Sequence, residues 1–278
     1  MKNLTTILLL LSVFAFTQCA YFESNKAKGD GEMMTKSIDI DPFDKLEVSG
    51  GWEVQLIPSQ SYNVVIQADE NLIDLVMLNQ NDSRLNIGAQ KTIGRASDKL
   101  IKIYFTGDLK MIKANNETEV FSENDLEFTS ILIDVSSQAE VELSLKADDL
   151  EIEGSSKGEL SLDADSKNLE INATSSADIS VDGSHKITTV NASSSADVKL
   201  NGNGEIANFN ATSSADINAK RFKVKSIVAK ATSSGEISCY PEDELQAIAS
   251  SGGNVAYHND PSNNINSQST SGGTVESK

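Results

Sequence analysis

A chain of 278 residues can bury a sizeable core in one or two domains, and with 5% aromatic residues that core must be built from aliphatic and small side chains. Its 41 acidic against 23 basic residues give a formal net charge of -18, which repels phosphate backbones and anionic lipid and excludes nucleic acid as a partner. On the same ground polyuronates are expected to be repelled.

Residues 1–18 read as an export signal. Lys2 supplies the positive start, and Leu4 to Phe16 form an apolar run too short to span a bilayer comfortably. No second apolar stretch approaches spanning length, so the membrane is reached only through a lipid. Phe16-Thr17-Gln18-Cys19 is a loose lipobox that would make Cys19 the acylated N-terminus; the alternative is ordinary cleavage nearby, for example after Ala20. Cys239 is the only other cysteine, so a lipidated Cys19 leaves no intrachain disulfide. Residues 19–37 read as a flexible tether, rich in Gly, Lys, Asp and Ser from residue 23 onward.

Residues 38–113 form a less regular N-terminal β region. Leu46, Val48, Val54 and Leu56, around Gly50-Gly51-Trp52-Glu53, fit one coil of a repeat, with Trp52 in a normally small slot as a plug for the open N-terminal end. Strands are expected at Tyr62 to Ala68, Leu72 to Leu78, Arg84 to Ile87 and Leu100 to Thr106. Asp69 to Leu78 reads equally as a short helix, because Leu72, Leu75 and Val76 share a helical face.

From residue 114 to 278 a repeat decides the fold. An acidic anchor falls at Glu140, Glu159, Asp178, Asp197 and Asp216, in steps of 19, and then at Glu236 after a step of 20. Weaker copies put Glu119 before the series and Asn254 and Thr274 after it. Leu169, Ile171, Ala173, Ala177, Ile179 and Val181 alternate with Glu170, Asn172, Thr174, Asp178 and Ser180, the period-two pattern of a strand with one wet face. Strands in a 19-residue register predict an all-β fold, a β-solenoid (β-helix) in which each coil bonds to the coils above and below. A leucine-rich repeat lacks its spacing here, and a sandwich would not sustain a constant period. By parity, Ser137, Ser156, Ser175, Ser194, Ser213, Ser233, Ser251 and Ser271 form an inward serine column. Asn172, Asn191 and Asn210 match glycosylation sequons but read as an outward amide ladder. His258 to Ser271 keeps the coil slot Ile265 and reads as a frayed final coil.

Three segments carry a family resemblance: Phe43-Asp44-Lys45-Leu46-Glu47-Val48-Ser49-Gly50-Gly51, the Ser-Ser-Ala-Asp ladders, and Ser250-Ser251-Gly252-Gly253-Asn254-Val255-Ala256-Tyr257. The closing Ser271-Gly272-Gly273-Thr274-Val275 is similar too. The chain resembles the DUF2807 family of auto-transporter adhesins with a head GIN domain, found mainly in Bacteroidetes, over roughly residues 38–277. That resemblance implies a β-helical fold, an envelope location and adhesion, and it brings no catalytic residues.

Little in the sequence points to chemistry. His185 and His258 read as surface turn residues of distant coils, the cysteines and histidines lack zinc spacing, and the Ser-Ser pairs have no recurrent base. No catalytic residue, cofactor or metal is expected. The acidic column reads as a solvated face rather than a calcium site, since one column lacks the 6–8 oxygens that calcium takes. The reading is a non-enzymatic envelope adhesin, an outer-membrane lipoprotein or else a secreted protein, whose partner is a glycan, a matrix or another protein. Its candidate binding face is Thr174, Ser176, Asp178, Ser195, Asp197, Thr212, Ser214 and Asp216. The rival is a β-helix carbohydrate-active enzyme, which calls for a repeat-breaking cluster of Asp, Arg, Lys and His. Oligomeric state stays open.

Overall fold

Each regular coil is one long bent strand that supplies two walls. The computed structural model describes residues 26–261 and 263–278, so the export signal and Cys19 lie outside the described residues. The coils are β11 (Glu140–Gly154), β12 (Glu159–Ala173), β13 (Asp178–Ala192), β14 (Asp197–Ala211), β15 (Asp216–Thr232) and β16 (Glu236–Ser250). They pair in parallel, with Leu160 beside Ile179, Ile179 beside Val198 and Val198 beside Ile217. In β12, Leu160, Leu162 and Ala164 are buried while Glu159, Ser161 and Asp163 face water. At the bend Lys167 and Asn168 are both exposed, which resets the parity so that Leu169, Ile171 and Ala173 point inward on the second wall. The described residues form a solenoid of about nine turns.

Between coils the chain reverses in a four-residue turn. In Thr174–Ala177 the two central residues are left-handed (Ser175 φ 55°, Ser176 φ 61°), and the Ala177 N–H donates to the Thr174 carbonyl at 3.2 Å. Such a turn normally selects glycine or asparagine. Here the neighbouring coils hold the strained backbone: the Ser176 N–H donates to the Ser194 carbonyl and that of Ser195 to Ser213, each at 3.1 Å. The inward serine column is therefore corrected. Ser137, Ser156, Ser175, Ser194, Ser213, Ser233, Ser251 and Ser271 all have positive φ and are exposed, because two successive left-handed residues interrupt the alternation.

The N-terminal half stacks out of chain order. The coil of β2 (Lys45–Val48) and β3 (Glu53–Pro58) lies between that of β6 (Arg84–Ala89) with β7 (Lys99–Phe105) and that of β8 (Met111–Ala114) with β9 (Glu119–Phe121). β10 (Leu126–Val135) then carries the stack from β8 to β11. Trp52 is consequently not an end plug. It is fully buried in an internal coil, and its indole N–H donates to the Gly88 carbonyl at 3.2 Å.

The end itself is closed by antiparallel strands. β4 (Asn63–Asp69) pairs with β7, β1 (Met33–Asp39) pairs with β4, and β5 (Val76–Asn81) pairs with β6. Asp69 to Leu78 holds both expected structures, the short helix α1 (Glu70–Ile73) and the start of β5. The tether reading of residues 19–37 is corrected at its C-terminal end. Ala27 bridges to Ile93, and Met33–Asp39 is a sheet strand.

At the other end β17 (Asn254–Tyr257) and β18 (Asn264–Ser269) pair with β16, and β19 (Thr274–Ser277) pairs with β17. This coil is in register rather than frayed; Ile265 is 41% exposed because no coil covers it.

His185 is the last correction. It points into the core at 1% exposure, in register with Ser166 below and Gly204 above. Its ring and that of Phe222 lie 6.1 Å apart, tilted by 43°. The room comes from the coil between them, where Gly202 and Gly204 replace side chains; a Cβ on Gly204 would lie 3.0 Å from the Phe222 ring.

Candidate functional site

The candidate binding residues gather on one edge of the solenoid. Thr174 opens the serine turn, Ser176 is its second left-handed residue and Asp178 begins the next strand; Thr212, Ser214 and Asp216 repeat this arrangement two coils on. Ser195 and Asp197 fill the coil between. Ser176, Ser195, Ser214, Asp178 and Asp197 are exposed, and Thr174, Thr212 and Asp216 are half-buried. The Ser193 hydroxyl donates to the Thr174 hydroxyl at 3.2 Å across the coil step. Equivalent groups thus recur every ~4.8 Å on a fixed backbone. The asparagine ladder runs just before the turn, with Asn172, Asn191 and Asn210 in register and the Asn191 amide donating to Asn172 at 3.0 Å.

The acidic column is continuous from Glu119 through Glu140, Glu159, Asp178, Asp197 and Asp216 to Glu236, followed by Asn254 and Thr274. Glu53 precedes Glu119, a member hidden from a linear reading because chain order is not stacking order. Neighbouring carboxylates at this spacing repel by about 0.9 kcal/mol in water. Burial first, then Glu53 and Glu140, raise the Glu119 carboxyl above its ordinary pKa. Burial, then Glu236 and Asp197, do the same for Asp216. The carboxylates run in a line and do not converge, and among the described residues no cluster of three or more acidic, histidine or cysteine side chains is arranged to hold a metal ion.

Charge along the stack is uneven. Residues 117–182 carry 18 acids and three lysines, a net of -15, whereas residues 183–230 carry three acids and seven basic residues, a net of +4. The bend of those later coils breaks the repeat, with Gly183, His185, Gly202, Gly204 and an extra residue in β15 that shifts its register against β14 and β16. Sequence reading missed this cluster because its members come from three coils. The signal that would have found it is the loss of alternation over residues 182–186 and 201–205.

The family model described as "Putative auto-transporter adhesin, head GIN domain" (DUF2807) matches residues 42–183 and again residues 155–261. No curated protein matches the chain. Several solved structures share the fold. A "Putative lipid binding protein" from Parabacteroides distasonis superposes with a TM-score of 0.70 at 20% identity, covering 91% of this chain and 99% of that one. A "putative adhesin" from Parabacteroides merdae gives 0.68 at 21% identity, covering 91% and 99%. A further "putative adhesin" from Parabacteroides distasonis gives 0.66 at 20%, covering 91% and 100%.

Proposed function

The chain belongs to the DUF2807 family of "auto-transporter adhesin, head GIN domain" proteins, and on that footing we propose that it is a non-enzymatic binding protein of the cell envelope. It presents the Thr, Ser and Asp columns of its turn edge to a glycan or protein partner. Residues 1–18 export it, and acylated Cys19 holds it to the outer membrane. The observation that supports this reading is the register of Asp178, Asp197 and Asp216 with their flanking hydroxyls, a periodic surface instead of one converged site. Many weak equivalent contacts add by avidity. Two structural neighbours described as "putative adhesin" agree with it, while a third, described as a "Putative lipid binding protein", points to a different ligand class.

An alanine scan of Thr174, Ser176, Asp178, Ser195, Asp197, Thr212, Ser214 and Asp216, read by cell and glycan adhesion, tests the proposal. Binding is expected to decline gradually as slots are removed. Turnover of a polysaccharide, abolished by one Asp or Glu change, would replace the adhesin with a β-helix carbohydrate-active enzyme. Incorporation of labelled fatty acid, lost in Cys19→Ala, checks the anchor.

A further inference from the structure

We infer that the bend of coils β13–β15, at the end of the walls away from the serine turns, is a binding site for an acidic saccharide. It rests on the binding reading above but uses none of the turn-edge residues.

A cleft of about 530 Å³ lies there, with Ser184, His185, Lys186, Asn203, Lys223 and Lys225 among its walls. The cleft exists because the repeat fails at this point. Gly183 (φ 150°) and Gly202 (φ 113°) take backbone conformations that other residues rarely adopt, and a Cβ on Gly202 would lie 1.8 Å from the Gly183 carbonyl oxygen. Gly204 of β14, without a side chain, lines the cleft between Lys186 of β13 and Lys223 and Lys225 of β15.

The groups facing this hollow suit a ligand that carries both negative charge and hydroxyls. Lys186 has no ion pair among the described residues, and Lys225 is only loosely held, 3.9 Å from Glu205. Lys223 lies 5.8 Å from the centre of the Tyr240 ring, which fixes its course along the wall. Ser184 and Asn203 bond to each other across the coil step at 2.8 Å, a positioned hydroxyl and amide. Glu205 and Glu242, in the same lining, offer acceptors for sugar hydroxyls. Three ammonium groups within a hydroxyl- and amide-lined hollow match a uronate or sulfated sugar better than a neutral one.

The exclusion of acidic polymers by net charge is thereby revised. The chain is -18 overall, yet residues 183–230, which supply most of the cleft wall, are locally +4. At physiological salt the Debye length is about 8 Å, under two coil steps, so the more distant acids of the belt are screened from the cleft, while the nearest, Asp165, accepts the Ser184 N–H at 2.9 Å.

Calorimetric titration of the mature chain with a galacturonate hexamer, a sulfated dextran oligomer and a neutral dextran of equal length tests the site. At least one acidic probe binds and the neutral one does not; which of the two binds identifies carboxylate or sulfate as the recognised group. Lys186→Gln/Lys223→Gln/Lys225→Gln weakens that binding at least tenfold, while Lys146→Gln/Lys157→Gln/Lys278→Gln, with equal loss of charge elsewhere, does not. Lys186→Gln alone, at an exposed position, repeats the test should the triple variant fold poorly. Absence of binding to both acidic probes, undiminished binding by the cleft variants, or an equal loss in the control overturns the site. Thr174→Ala/Thr212→Ala leaves the titration unchanged, so failure of the turn-edge reading and failure of the cleft are told apart.

Discussion

His185 Nδ1 and Ser166 Oγ, one coil apart, form a 2.8 Å hydrogen bond inside the core, and His185 Nε2 is buried with no partner among the described residues. Burial lowers the imidazole pKa to about 4, opposed weakly by Asp165. The folded state therefore holds a neutral ring, while the unfolded chain takes up a proton near pH 6.5. Its stabilising contribution is complete above pH 6.5 and is lost as the pH falls towards 4, a change of about 3 kcal/mol. Denaturant unfolding of wild type and His185→Asn across that interval checks this. The wild type loses more stability on acidification than the variant, and identical slopes would sink the assignment.

Ile179 is fully buried between Leu160 and Val198, whereas its neighbour Asp178 is exposed. Ile179→Asp places an unpaired charge in the core and is expected to cost about 3 kcal/mol or more. Asp178→Ser changes stability by no more than about 0.5 kcal/mol. Equal losses in chemical denaturation would refute the inward and outward assignment.

Asp216 lies between Asp197 and Glu236 in the like-charged column. Asp216→Asn relieves that repulsion and the burial of a charge. Its melting temperature at neutral pH should rise, and the gain should shrink as salt is added. A melting temperature that falls, or a difference indifferent to salt, counts against repulsion along the column.

Gly202 is held at φ 113° against the Gly183 carbonyl. Gly202→Ala meets both backbone strain and a 1.8 Å overlap, and is expected to destabilise by several kcal/mol or prevent folding. The exposed Gly272, with nothing within 4 Å of its missing Cβ, keeps only the strain of φ 77° and should cost about 1 kcal/mol on alanine substitution. Paired melting curves of the two variants decide it.

Cys239 is fully buried, and that burial pushes its thiol pKa up to about 12. In a Cys19→Ala chain the remaining thiol should resist aromatic disulfide reagents in native buffer and react once denatured. Rapid modification of the folded protein would place Cys239 outside the core.

The solenoid was legible from residues because its coils repeat. A 19-residue period with alternating apolar slots admits one pairing register, and a slip of a single residue would expose Ile179 and bury Asp178. The columns of the candidate edge follow from that register alone. Where the repeat lapses, local pattern no longer carries the answer. Trp52 reads as an end plug until pairing shows that the chain builds its second coil first and returns to lay β6 and β7 outside it. Met33–Asp39 has too little apolar character to announce a strand, and it becomes one because β4 offers an open edge with unpaired backbone groups. The serine turn defeats counting by twos, since its left-handed pair is stabilised by hydrogen bonds from adjacent coils rather than by its own residues. His185 looks like a surface residue beside Gly183 and Lys186; what buries it is the space left by Gly202 and Gly204, nearly a full coil away in sequence. Packing joins groups by position in the stack, and a linear pattern reports such neighbours only where every coil is alike.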